Sequence, residues 1–209
     1  MNAEDYEGAA RDFSTAIALS PSIADPYFNR AQANRQLGKP DVALADFTMA
    51  ITLEPNNKMF WLNRAQAYFD DELYHRAITD YTRALELDPT LSIARMGRGI
   101  SLGEKGKFDE SAADFTALLE ADPNDDDSRY NRGKAYYEMG QLDDALSDFN
   151  LILAHDPAYA KARLHRALVR LDLKRPAEAW TDLQSLQRAG FQLPPEILDR
   201  VPTSLRSLP

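Results

Sequence analysis

Histidines, acidic clusters, glycine runs and hydroxyls are the residues with which this 209-residue chain could do chemistry. It has three histidines, His75, His155 and His165. A metal or general-base site needs such side chains on one face at ligand spacing. His75 opens one helical segment, His155 closes another, and His165 lies in a segment of the other kind, so the three read as structural. The run Asp122-Pro123-Asn124-Asp125-Asp126-Asp127 resembles a calcium-binding loop. It fails as one, because Asp127 stands where such a loop turns on glycine and Gly133 where it needs a bidentate glutamate. The run reads instead as a turn entering an acidic helix N-terminus. Gly97-x-Gly99-x-x-x-Gly103 has the wrong spacing for a dinucleotide fingerprint, and no strand precedes it. Ser101 and Ser147 have no positioned base. With no cysteine in the chain, disulfides, thiolate zinc sites and cysteine nucleophiles are excluded together. No catalysis, cofactor or metal is expected.

The elements that would position any site are soluble and acidic. Hydrophobic residues make up 44% and charged residues 27%, a globular balance. Against 33 acidic residues stand 24 lysines and arginines, a net charge of −9, so nucleic acid is not an expected partner. No apolar run approaches the roughly 20 residues needed to span a bilayer. The opening Met1-Asn2-Ala3-Glu4-Asp5 is acidic and polar, without the pattern of a signal peptide. The compartment stays open, with the cytoplasm favoured and upstream sequence an alternative.

An internal period organises the chain. Pro21, Pro55, Pro89, Pro123 and Pro157 are each 34 residues apart. Eight residues before each lies an aromatic: Phe13, Phe47, Tyr81, Phe115 and Phe149. Four earlier again is a small residue: Ala9, Ala43, Ala77, Ser111 and Ala145. Within a period, apolar and small residues recur at helical spacing, as over Ile23–Leu37 and Met59–Asp70. Breaks such as Leu37-Gly38-Lys39-Pro40, Lys105-Gly106-Lys107 and Met139-Gly140-Gln141 end the first helix, glycine tolerating the left-handed cap. A second amphipathic helix, such as Asp41–Leu53, runs to the proline, which stops it. No strand pattern is present, so the unit is an antiparallel helix pair.

These columns resemble the tetratricopeptide repeat family. The best copy reads Trp61-x-x-Arg64-Ala65-x-x-Tyr68, then Ala77-x-x-x-Tyr81, then Pro89, against the pattern W-x-x-L-G-x-x-Y…A-x-x-x-F…P. The resemblance implies an all-α, right-handed α-α superhelix (a solenoid) with a concave, peptide-accepting groove. Residues 1–21 hold only the second helix of a repeat. Repeats follow at 24–57, 58–91, 92–125 and 126–159, with a divergent one at 160–191 where Lys174 stands in for glycine and Phe191 for proline. Residues 194–201 read as a capping helix that covers the last repeat, and 202–209 as a fraying tail.

Two columns depart from that family. Its leucine position is Arg30, Arg64, Arg98, Arg132 and Arg166, and the residue before the aromatic column is Asp12, Asp46, Asp80, Asp114, Asp148 and Asp182. In the family fold the two columns face each other, which implies an internal arginine–aspartate ladder; the alternative is solvated surface charge. Gly97, Gly99, Gly103 and Gly106 suggest a looser third repeat, since a helical glycine costs about 1 kcal/mol against alanine. Ala16, Ala50 and Ala84 give way to Leu118, Ile152 and Leu186, suggesting a changed curvature.

By the same resemblance, the first helices line the groove. Its face would hold Phe28, Leu62, Met96, Tyr130 and Leu164, then Asn29, Asn63, Gly97, Asn131 and His165, then Gln32, Gln66, Ile100, Lys134 and Leu168. An asparagine column could hold the main chain of an extended peptide, or merely cap turns within the repeat. Met59, Leu62, Ile93, Met96 and Ile100 could form an adaptable apolar pocket or pack between helices. Asn131, Lys161 and His165 match part of the two-carboxylate clamp of chaperone-binding members, but Met96 and Ile100 replace the lysine and asparagine of its first repeat. The expected function is a protein-interaction scaffold that binds a partner peptide or helix. The alternatives are self-association as a homodimer through the incomplete N-terminal edge, and an accessory segment of a larger enzyme.

Overall fold

The structure, a computed structural model, describes residues 3–206. Among the described residues there are thirteen α-helices and no strand, falling into two compact units, residues 1–105 and 106–209. The first unit holds α1 (Ala3–Leu19), α2 (Ala24–Gln36), α3 (Pro40–Leu53), α4 (Lys58–Asp70), α5 (Tyr74–Leu87) and α6 (Ser92–Glu104). The second holds α7 (Phe108–Ala121), α8 (Asp126–Glu138), α9 (Leu142–His155), α10 (Ala160–Asp172), α11 (Pro176–Arg188), and the short α12 (Pro195–Leu198) and α13 (Thr203–Arg206). From α1 to α6 and from α7 to α11, consecutive helices pack against each other, and α13 packs on α11.

The first helix of each pair ends in a left-handed residue at one column of the period. Gly38, Gly106 and Gly140 have φ of 67°, 73° and 73°, and at the same column Glu72 and Lys174 adopt 58° and 61°. The residue after four of the five closes a bond back to the last turn: Lys39 N–H to Asn34 O at 2.9 Å, Leu73 to Tyr68 at 2.8 Å, Gln141 to Tyr136 at 2.8 Å and Arg175 to Arg170 at 2.8 Å. That bond satisfies a carbonyl the helix would otherwise leave open. It also holds Glu72 and Lys174 in a conformation that costs an L-residue about 1 kcal/mol.

The aromatic and small columns fill the centre of each unit. Ala43, Phe47 and Ala50, and Ala77, Tyr81 and Ala84, are fully buried in the first unit, as are Ala145, Phe149 and Ile152 in the second. In the first unit small side chains on both sides of each ring let paired helices approach closely, whereas Ile152 fills one side of Phe149. In α1 the corresponding Ala9, Phe13 and Ala16 are only half-buried.

Gly97 is a point of close packing, not of looseness. A Cβ built there would lie 2.4 Å from Cζ of Tyr81, so the fully buried Tyr81 ring rests directly on the α6 backbone. Gly133 does the same for Phe149, whose Cε1 would be 2.9 Å from a Cβ.

The C-terminal segment differs in detail from the sequence reading. Helix is confined to Pro195–Leu198 within 194–201, and a further turn forms at Thr203–Arg206. Val201, 1% exposed, joins Leu171, Ala179, Leu183 and Leu186, with Leu193, Ile197 and Leu205 packed around them. Apolar residues at that spacing tie down a segment that composition alone marks as a tail. Residues 207–209 lie outside the described residues.

Candidate peptide-binding face and its arginine–aspartate frame

A charged frame holds the helix pairs. Arg30 donates through Nε and Nη2 to both carboxylate oxygens of Asp46, at 2.8 and 2.7 Å. Arg64 meets Asp80 at 2.7 and 2.9 Å, Arg132 meets Asp148 at 2.9 and 2.7 Å, and Arg166 meets Asp182 at 2.9 and 2.6 Å. The carboxylates are 1–5% exposed. These are bidentate, charge-assisted pairs in a partly buried seam, the geometry that suits guanidinium and not ammonium. The hydrogen bonds that Arg30 and Arg132 donate to Asp46 and Asp148 hold both guanidiniums above the ordinary arginine value. Arg98 and Asp114 belong to different units; within its own unit Arg98 reaches Thr82, and Asp114 is 3% exposed.

The third nitrogen of each guanidinium reveals a column that the sequence reading missed. Nη1 donates sixteen residues backward, to Ser14 from Arg30 and Thr48 from Arg64 at 3.0 Å each, to Thr116 from Arg132 at 3.4 Å, and to Asn150 Oδ1 from Arg166 at 2.9 Å. Each of these arginines thus bridges the second helix of its own repeat and that of the repeat before. A second missed column lies at the family's tryptophan position. Tyr27, Trp61, Arg95, Arg129 and Arg163 all donate to the carbonyl of the proline six residues earlier.

On the first-helix face of the first unit, two of the expected contact residues are packed inward. Phe28 stacks on Phe47 and Phe60 with centroids 5.8 and 4.9 Å away, and Leu62 is 7% exposed in the cluster around Tyr81. Asn29 is exposed. Asn63 donates its amide to Met59 O at 2.8 Å. Gln66 donates to Asp70 at 2.8 Å and accepts from the Tyr81 hydroxyl at 3.2 Å. Met96 and Ile100 are half-buried, while Met59 and Ile93 are 42% and 69% exposed.

In the second unit, Tyr130 sits among Phe149, Tyr159 and His165 at centroid distances of 6.1, 5.8 and 5.3 Å, with Lys134 Nζ 6.0 Å over its ring. His165 Nδ1 lies 3.0 Å from Lys161 O and 3.2 Å from the Tyr130 hydroxyl. Burial pushes its imidazole below the ordinary histidine value. Asn131 donates to Asp127 O at 2.9 Å, as Asn63 does in its own helix, and Lys161 is exposed. His155 is exposed too, and its Nδ1, 2.6 Å from Asp126 Oδ2, is raised by that hydrogen bond and charge. Among the described residues no group of three or more histidines and acids could hold a metal ion. No helix there is long and apolar enough to cross a membrane.

Compared with known families, the tetratricopeptide repeat matches residues 1–58, 28–92, 62–126, 96–153 and 130–190 in overlapping copies. The chain belongs to the tetratricopeptide repeat family. Solved structures of similar fold include YrrB, described as a tetratricopeptide repeat protein with an unusual peptide-binding site, at 23% identity and TM-score 0.74 over 84% of this chain and 90% of that one. MamA (41-end) from Desulfovibrio magneticus RS-1 is 23% identical, with TM-score 0.74 over 81% and 97%. PilW, a type IV pilus biogenesis factor, is 22% identical, with TM-score 0.68 over 88% and 86%. The comparison with curated proteins finds no match. Within this tetratricopeptide repeat chain, the arginine–aspartate bridges occupy the place the family gives to leucine packing.

Proposed function

We propose that the chain is a non-catalytic scaffold that holds an extended or helical peptide of a partner protein on the first-helix face of its repeats. Tetratricopeptide repeat proteins bind other proteins. The observation that carries the reading is the exposed apolar column of Met59 and Ile93, beside half-buried Met96 and Ile100, in an otherwise acidic protein. Apolar side chains left in water on adjacent helices favour an occupant, and methionine adapts to varied ones. The Asn63 and Asn131 amides are engaged within their own helices. What they offer a peptide is the side-chain oxygen, an acceptor for main-chain N–H groups. Affinity recovery with the full chain, read by mass spectrometry, tests this. Met59→Glu with Ile93→Glu is expected to lose the partner that the parent chain retains, with helicity by circular dichroism unchanged. Equal recovery by both proteins would sink the reading.

A second reading, self-association through α1, is favoured by one observation. Ala9, Phe13 and Ala16 are half-buried where the other repeats bury that column, and Asp12 is exposed without the arginine that its counterparts meet.

A further inference from the structure

In the first unit a cleft of about 790 Å³ opens between α1, α2 and the start of α3. None of the face residues Phe28, Asn29, Leu62 or Asn63 lines it. Arg11 and Lys39 stand on its walls, exposed and without an ion pair among the described residues. At its base is Asn34, 6% exposed, whose side-chain amide has no hydrogen-bond partner among those residues. Asn34 lines the cleft, so its amide is open to bond whatever occupies it. Ser14, Thr15 and the guanidinium of Arg30, already bonded to Asp46 and Ser14, complete the polar lining.

The second unit contains the same cleft three periods on, between α7, α8 and the start of α9, and there it is smaller and differently lined. It measures about 490 Å³, and Ala113, Tyr136 and Gln141 occupy the columns of Arg11, Asn34 and Lys39. Tyr136 is the family's tyrosine, and it lies under Arg132, 5.7 Å from the ring centroid, as Tyr68 lies under Arg64 at 5.7 Å. The departure at Asn34 therefore opens space beside the ladder, and the departures at Arg11 and Lys39 place cations around it.

We propose that this cleft is a second binding site, for an acidic segment of a partner polypeptide. One or two side-chain carboxylates sit against Arg11 and Lys39, and the Asn34 amide bonds the segment's main chain, to which it presents both donors and an acceptor. In a chain of net charge −9, unpaired cations around a partly apolar cleft that includes Leu37 and Val42 select an anion that also buries a stem. Glu7 on the same wall disfavours a compact dianion such as phosphate relative to a carboxylate. The site is independent of the first-helix face, so either can fail alone.

The test titrates the isotopically labelled full chain with a capped peptide of alternating Glu and Ala, with its Gln–Ala counterpart, and with inorganic phosphate. Amide shifts are expected at Arg11, Ser14, Asn34 and Lys39 with the Glu peptide and not with the Gln peptide. Arg11→Ala with Lys39→Ala, both at exposed positions, is expected to weaken binding at least about tenfold. Asn34→Tyr, which installs the residue already tolerated at Tyr68 and Tyr136, is expected to abolish binding while keeping the melting temperature. Ile93→Glu, on the other face, is expected to leave it unchanged. The site is overturned if the Gln peptide binds equally, if Asn34→Tyr keeps full affinity, if the shifts fall elsewhere, or if phosphate alone reproduces them and the Glu peptide adds nothing.

Discussion

The bridging arginines divide their donors three ways, two to a carboxylate ahead and one to an oxygen behind, which leaves little of the guanidinium to water. Arg64 is 14% exposed in its side chain and Asp80 4%. Removing one partner from such a pair strands a buried charge, at about 3–5 kcal/mol. Asp80→Ala is therefore expected to destabilise by about 3 kcal/mol in denaturant unfolding. Glu104→Ala, at an exposed residue, should change stability by no more than about 0.5 kcal/mol. Equal unfolding midpoints would show that the pair contributes nothing. The arginine and aspartate columns are visible in the sequence because one residue type recurs in each. The oxygen column of Ser14, Thr48, Thr82, Thr116 and Asn150 is not, since its members share only an acceptor at the right distance. Tyr27, Trp61 and Arg95 likewise share only a donor long enough to reach a proline carbonyl.

Between helices, glycine has opposite effects in two places. At Gly8 of α1 nothing lies within 4 Å of where a methyl group would stand, whereas at Gly97 of α6 the Tyr81 ring occupies that space. Gly8→Ala is expected to stabilise by about 1 kcal/mol through helix propensity. Gly97→Ala gains the same propensity but forces a fully buried ring to move, so it should destabilise by about 1–3 kcal/mol net. Thermal or denaturant unfolding of the two variants checks the sign of each; a stabilised Gly97→Ala would remove the close-approach account. Sequence alone marks the glycines of the third repeat as loosening because propensity is local, whereas the reason for Gly97 is a side chain sixteen residues away.

The first and last of the described helix pairs are covered differently. At the C-terminal end Val201, Ile197 and Leu205 cover the last helix pair. At the N-terminal end α1 leaves Phe13 half-buried, and Leu19 is 80% exposed. Apolar surface left exposed tends to recruit a partner. Light scattering over a wide concentration range is expected to show dimer growing at high protein concentration, and Phe13→Glu to suppress it. A chain that stays monomeric throughout would rule out association through this edge.

Period, helix class and the division into helix pairs were determined by the sequence alone, because proline, glycine and the aromatic column act through local backbone geometry and recur every 34 residues. The candidate face was only half legible. Which column faces water depends on neighbouring helices, so Phe28, Leu62 and Tyr130 went to packing while Met59 and Ile93 stayed exposed. The cleft at Asn34 was not legible at all. A missing tyrosine in one column becomes a cavity only when cations from α1 and from the start of α3 are brought beside it, and that juxtaposition is decided by tertiary packing between helices.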